Sequence, residues 1–391
     1  MSYDFNQIID RRNTNSLKYD FAVERRKPSD ILPLWVADMD FQAPLEVLEA
    51  IHQAVSHGIF GYTEVKSDYY DVLHDWLYKN FHWDTQESWL MKTPGVVFAI
   101  TLAIRAFSKE GEGILIQQPV YYPFHEAVLY NHRKLVVNSL VYEEGKYSID
   151  YDDFENKIIS QNVKLFVLCN PQNPVGRVWT KNELTRMGDI CLKHKVIVVS
   201  DEIHCDFTYP GYEHTVFANI NEEFARNSIT CTSPSKTFNL AGLQISNIFI
   251  KNDDLRLKMK RELDASGYSQ CNTLGLIACK AAYRYGEPWL TELKAYLYEN
   301  LNFTREYLKA NLPNITLVEP EGTYLIWLDF RKLELTRKEM EQLIVHTAKL
   351  WLDPGHIFGP VGEGFERINI ACPRAILKKA LEQLTKAVNS L

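Results

Sequence analysis

The chain has 391 residues, 46% hydrophobic and 24% charged, which is ordinary globular composition with material for two or three domains. Its 43 basic and 50 acidic residues leave a formal charge of −7, which argues against non-specific binding of nucleic acid or of an acidic membrane. No apolar run approaches membrane-spanning length, and the opening MSYDFNQIIDRRNT is too polar for a signal peptide.

No repeat or low-complexity linker divides the chain, so its domains are expected to interweave. Residues 1–44 read as a segment packing with a small C-terminal domain. Residues 45–285 read as a large α/β domain. There, short apolar runs alternate with amphipathic stretches such as Lys181 to His194. The runs are Gly113–Gln117, Lys164–Cys169, Val196–Ser200, Ser228–Thr232 and Ser246–Ile250. Several are apolar on both faces, as strands of a parallel sheet sandwiched between helices are. From 286 to 391 the pattern is that of a smaller α+β domain. A helix from Trp289 to Asn311 leads to a strand Thr323–Phe330, a helix Arg337–Leu350, a Gly-rich turn, a strand Glu366–Ala371 and a last helix.

Five segments carry candidate chemistry. Thr93-Pro-Gly-Val-Val-Phe98 opens an apolar helix whose first free N–H groups suit a phosphate. Cys169-Asn-Pro-Gln-Asn-Pro-Val-Gly176 follows a strand; it is a rigid turn, or a holder of a side-chain amide aimed at a phenolic oxygen. Asp201 closes an otherwise apolar strand at the edge where α/β ligand sites lie. It is either an N-cap or the buried partner of a cation such as a protonated pyridine nitrogen. In Cys231-Thr-Ser-Pro-Ser-Lys236 a lysine follows a buried strand at once. That is a surface turn, or a desolvated amine poised to form an imine with an aldehyde, with Ser233 and Ser235 beside a phosphate. Arg367, on one face of its strand with Asn369, is an exposed strand arginine or a bidentate carboxylate clamp.

Other chemistries find little support. Gly111-x-Gly113 and Gly362-x-Gly364 lack the third glycine of a dinucleotide fingerprint, and no phosphate-loop, zinc-protease or nucleophile-elbow motif occurs. The eleven histidines show no metal-ligand spacing, so no metal is expected. The seven cysteines, scattered without a C-x-x-C pair, read as reduced thiols of a cytoplasmic protein.

Taken in order, these segments resemble the fold type I pyridoxal 5′-phosphate (PLP) enzymes, the aspartate aminotransferase superfamily, over essentially the whole chain. Pro33-Leu-Trp-Val-Ala-Asp-Met-Asp-Phe41, Ser200-Asp-Glu-Ile-His204 and Ser233-Pro-Ser-Lys-Thr-Phe-Asn-Leu-Ala-Gly242 are similar to the MalY/PatB group of cystathionine β-lyases and cysteine-conjugate C–S lyases. The resemblance implies a large PLP domain with a mostly parallel sheet, and a smaller α+β domain built from both chain ends. It makes Lys236 the Schiff-base lysine, Asp201 the partner of the pyridine nitrogen, and Tyr121 the aromatic stacked on the ring. Asn173 becomes the residue facing the phenolic oxygen and the substrate. Gly95, Val96, Ser233 and Ser235 become the phosphate cradle, with His204 close to the cofactor. Arg367 becomes the carboxylate clamp, with Arg374 the next candidate, and Trp35 to Ala37 the segment over the substrate. Tyr62 would reach the phosphate of a neighbouring subunit, which implies a homodimer with shared sites. The substrate would be a small sulfur amino acid and the setting methionine biosynthesis.

Two positions depart from the aminotransferase pattern. Gln244 stands where many of those enzymes place a phosphate-binding arginine, and His204 where they place a tyrosine. Both fit the C–S lyase branch. The motifs lead to a carbanion at Cα, and only the branch resemblance then selects loss of a β-thiolate over transamination. An aminotransferase is therefore the alternative, and a PLP-scaffold regulatory or interaction protein is the alternative of another class.

Overall fold

The computed structural model describes residues 3–391. Seven strands form the main sheet: β1 (Leu90–Thr93), β2 (Gly113–Gln118), β3 (Lys134–Ser139), β4 (Val163–Cys169), β5 (Ile197–Asp201), β6 (Ser228–Thr232) and β7 (Ser246–Phe249). Their spatial order is β1-β7-β6-β5-β4-β2-β3. Pairing is parallel from β6 through β3, while β7 runs antiparallel to both its neighbours. The parallel core explains the apolar runs. Leu165, Phe166, Val198, Val199, Ile229 and Cys231 are buried because helices cover both faces. The short β1 edge strand and β3, half-buried with alternating exposure, are two strands the pattern reading did not single out.

Topology then places the site. Because β7 reverses direction between β1 and β6, strands β1, β2, β4, β5 and β6 all end at one edge of the sheet. Register aligns Cys169, Asp201 and Cys231 there. The segments that follow these strands, each singled out for its chemistry, therefore converge on one crevice.

The second sheet has four antiparallel strands in the order β8 (Thr316–Val318), β9 (Leu325–Asp329), β11 (Phe365–Asn369), β10 (Asp353–Pro354). Chain-end segments pack against it. Leu32–Pro33 pairs in parallel with Leu350–Trp351, Asp40 N–H donates to Ala371, and Lys18, fully buried, lies 2.8 Å from Asp40. Phe5 packs on Phe41 and Trp289.

Two expectations change here. The helix expected from Arg337 to Leu350 is α-helical only to Glu341, continues as a π turn over Gln342–Thr347, and gives way to the strand containing Leu350. Local periodicity does not register the competing partner, the Leu32–Pro33 strand, far away in sequence. The strand expected from Thr323 begins at Leu325. Thr323 itself has φ 68° and donates its N–H to the Phe207 carbonyl instead of joining the ladder.

Candidate active site

Lys236 lies in a one-turn helix, Pro234–Thr237, directly after β6. Its Nζ donates to the Ala37 carbonyl at 2.9 Å and has no carboxylate in ion-pair contact among the described residues. Burial lowers its pKa to about 8, against the pull of Asp38 and Asp201 and with help from Arg367. The surface-turn reading fails: this is a sheltered amine that loses its proton readily.

Asp201 ends β5, 5% exposed, and accepts the Ile203 N–H at 3.1 Å. It is thus a turn cap as well as a buried acid. Burial raises its carboxyl to about 7, opposed by that hydrogen bond and by Lys236. His204, buried three residues on, packs edge-on to Tyr324 and has an unpartnered Nδ1. Burial, with Lys236 and Arg367 nearby, holds it neutral.

Arg367 is 2% exposed, so it is no surface arginine. Its Nη1 donates to Asn173 Oδ1 at 3.0 Å, and its Nη2 to the Trp35 carbonyl at 2.7 Å and to Asp353. Asp353 faces it across the β10–β11 pair. Nε is buried without a partner, a donor left over inside the crevice. Burial raises Asp353 to about 6 against the pull of the guanidinium. Arg374, the other clamp candidate, donates to Asn300 and covers Phe303, and belongs to the small-domain packing.

Tyr121 begins the turn after β2, its N–H donating to the Asn173 carbonyl at 3.1 Å, and burial raises its phenol above the usual range. Gly95 precedes the helix Val96–Phe107, which no side chain caps, and a Cβ on Gly95 would meet nothing within 4 Å. The front of that helix start is open, and its N–H groups are available to an anion. Ser233 is the N-cap of the Lys236 turn. Its Oγ accepts the Ser235 N–H at 3.1 Å and lies 2.7 Å from the Ile245 carbonyl and 2.8 Å from Ser235 Oγ. It holds Ser235 in place, and Ser235 is the freer hydroxyl. Gln244 is exposed in a left-handed turn and brings no charge to the phosphate position. Tyr62 is 96% exposed, so the single chain does not bring it to the crevice.

Four further residues pack around this crevice that the motifs do not mark as site residues. Asn239, three residues after Lys236, accepts the Met39 N–H and donates to the carbonyls of Met39 and Phe41, which pins the chain just beyond the Trp35–Ala37 segment. Tyr324 donates to the Ala37 carbonyl at 3.0 Å, beside Lys236. Asp353 and Phe358 flank the Arg367 guanidinium, the ring 4.9 Å away. Only Asn239 lay within a noted motif; the other three reach the site by tertiary packing.

These residues fit PLP. An acid buried without a cation in ion-pair contact among the described residues, an amine near neutrality and an uncapped helix start match its pyridine nitrogen, aldehyde and phosphate. Comparisons with known proteins agree. The family described as aminotransferase class I and II matches residues 29–384. Cystathionine beta-lyase PatB of Bacillus subtilis is 40% identical over 99% of this chain and all of its own. Protein MalY of Escherichia coli is 32% identical over the full length of both. Cystalysin from Treponema denticola, solved with pyridoxal 5′-phosphate, superposes with a TM-score of 0.96 at 40% identity over the whole of each chain. By sequence, by fold and by the chemistry at the carboxyl edge of its sheet, the chain belongs to the class I and II aminotransferase family of fold type I PLP enzymes, in its MalY/PatB-type C–S lyase branch.

Proposed function

We propose that this protein is a PLP-dependent C–S β-lyase that cleaves cystathionine or cysteine S-conjugates to pyruvate, ammonia and a thiol. The observation that carries the reading is the pairing, in one crevice, of an easily deprotonated Lys236 with a buried Arg367 that has a donor to spare. When bound, PLP supplies an aldehyde carbon that condenses with amines and a pyridinium ring that takes up the electron pair left at Cα. Lys236 and Asp201 would hold it at those two points, Tyr121 at its face, and Ser235 with the Gly95–Val96 backbone at its phosphate.

Arg367 orients the substrate through its α-carboxylate, on the side left open by Asn173, Trp35 and Asp353. Lys236, when its amine is free, would remove the Cα proton, and a pKa near 8 suits a general base at neutral pH. Asp201 would keep a pyridine nitrogen protonated by its charge. The Trp35–Ala37 segment and the Tyr324 hydroxyl shelter Nζ from water.

The same proposal covers the chain's organisation: a large domain of residues 45–285, and a small one of 286–391 completed by 1–44. It also covers assembly as a homodimer. Ile59, Phe60 and Tyr62 are 74%, 61% and 96% exposed, an apolar run that a second copy would cover while carrying Tyr62 to its phosphate. No helix among the described residues is long and apolar enough to cross a membrane. A cytoplasmic role in methionine biosynthesis completes the proposal.

The deciding experiment offers cystathionine, cysteine and S-alkyl-cysteines without a keto acid. Pyruvate, ammonia and thiol in equal amounts are expected; turnover that requires a keto-acid acceptor would replace this reading with transamination.

A further inference from the structure

The π turn over Gln342–Thr347 has a consequence beyond the helix it interrupts. Such insertions re-aim side chains and concentrate at functional sites. Here Ile344, with Met340 and Leu352, walls a cavity of about 260 Å³ against the small sheet. Strand alternation turns Glu366 to the face opposite Arg367, and Glu366 lines this cavity.

The polar groups do not suit an empty apolar void. Glu366 is 4% exposed, and its carboxyl has neither a salt bridge nor a hydrogen-bond donor among the described residues. Burial and the neighbouring Asp353 favour its protonated form while the cavity holds no cation, with Lys27 opposing, and an arriving ammonium favours release of that proton. Lys27 and Arg337 enter the same cavity, anchored by Glu341 at 3.3 Å and Glu363 at 2.5 Å. A purely apolar ligand would leave the acid unpaired. A dianion would meet three carboxyl groups, and a simple cation would gain nothing from Lys27 and Arg337. A zwitterion answers both signs, and the volume suits a molecule smaller than a typical drug.

We propose that this cavity is a second ligand site, which binds an α-amino acid with an aliphatic or thioether side chain. Its ammonium meets Glu366, its carboxylate meets Lys27 and Arg337, and its side chain lies among Met340, Ile344 and Leu352. Glu366 adjoins Arg367, and its cross-strand partner Pro354 adjoins Asp353, so an occupant would rest one residue from the clamp.

The test uses the holoenzyme and L-norleucine, which has no leaving group at Cβ. Calorimetry counts every equivalent bound, whereas the cofactor's absorption band counts only those at the active site. That second count rests on the proposed function. Two equivalents per chain by heat and one by absorption are expected. Glu366→Gln and Lys27→Met, which keeps the apolar stem, should each weaken the heat-only equivalent by about tenfold or more and leave the absorption titration within about twofold. One equivalent in the wild type, or a second that ignores both substitutions, overturns the proposal. If Glu366→Gln fails to fold, the rim variant Lys27→Met decides. Heat-only binding without any absorption response would instead count against the active-site reading, so the two failures are distinct.

Discussion

The main sheet and the small sheet contribute to the same crevice in different ways. The main sheet offers residues that directly follow its strands: Asp201 ends β5, Lys236 comes four residues after β6, and Asn173 four after β4. The small sheet offers Arg367 from the middle of β11, and that arginine is positioned by Asn173, Trp35 and Asp353, from three separate parts of the chain. On the proposed function, cofactor chemistry is built from local strand-to-loop units, while substrate recognition is a long-range assembly. The lesson is that damage to the first should abolish chemistry, and damage to the second should loosen binding.

The largest break comes at Lys236. Lys236→Ala should lose the cofactor's imine absorption and roughly a thousandfold or more of kcat, because both the anchoring amine and the general base are gone. A retained band with normal turnover would move the chemistry to another residue.

Asp201→Asn separates catalysis from stability. We expect kcat/KM to fall by about a hundredfold, since the ring nitrogen loses its counter-charge. The cofactor-free protein should respond oppositely. The folded carboxyl holds its proton up to about 7 where the free group releases it near 3.8, so Asp201 penalises the fold progressively as pH rises across that interval. The variant should thus melt several degrees higher than the wild type at pH 8, and the gap should shrink toward pH 4. Melting curves without cofactor across this range check the sign.

Arg367→Ala tests the small-sheet contribution. KM should rise by about a hundredfold while the cofactor stays bound and its spectrum is unchanged, in contrast to Lys236→Ala. A spectral loss here would erase the distinction between the two regions.

The smallest effect sharpens the same comparison. Asp353→Asn removes the carboxylate facing Arg367; because that carboxyl is itself raised to about 6, the melting temperature at pH 8 should hold or rise by no more than a few degrees. A saturating unreactive amino acid should stabilise this variant more than the wild type, because the ligand's carboxylate then meets Arg367 without competing with Asp353. Equal ligand stabilisation of both proteins would show that Asp353 is not the placeholder the geometry makes it.

Much of this molecule was legible in its sequence. The apolar runs at Lys164–Cys169, Ser228–Thr232 and their neighbours marked the parallel core, and the residues just beyond them marked the site, because strand period and turn chemistry are local properties. That Lys236 is a sheltered amine and Arg367 a buried arginine is not fixed by the sequence, since a lysine after a strand and an arginine within one fit surface roles equally well. Tertiary structure decided between them by desolvation: Ala37 and Asp353 reach these side chains only once the two chain ends have packed together. The same long-range pairing halted the Arg337 helix and admitted the Leu350 strand, and it gave Tyr324 and Asp353 places that no periodicity encodes. Sequence determined which chemistry was possible, since residue types and their order along the chain carry it. The fold determined how strongly each group is perturbed, since burial and charge act through space and not along the chain.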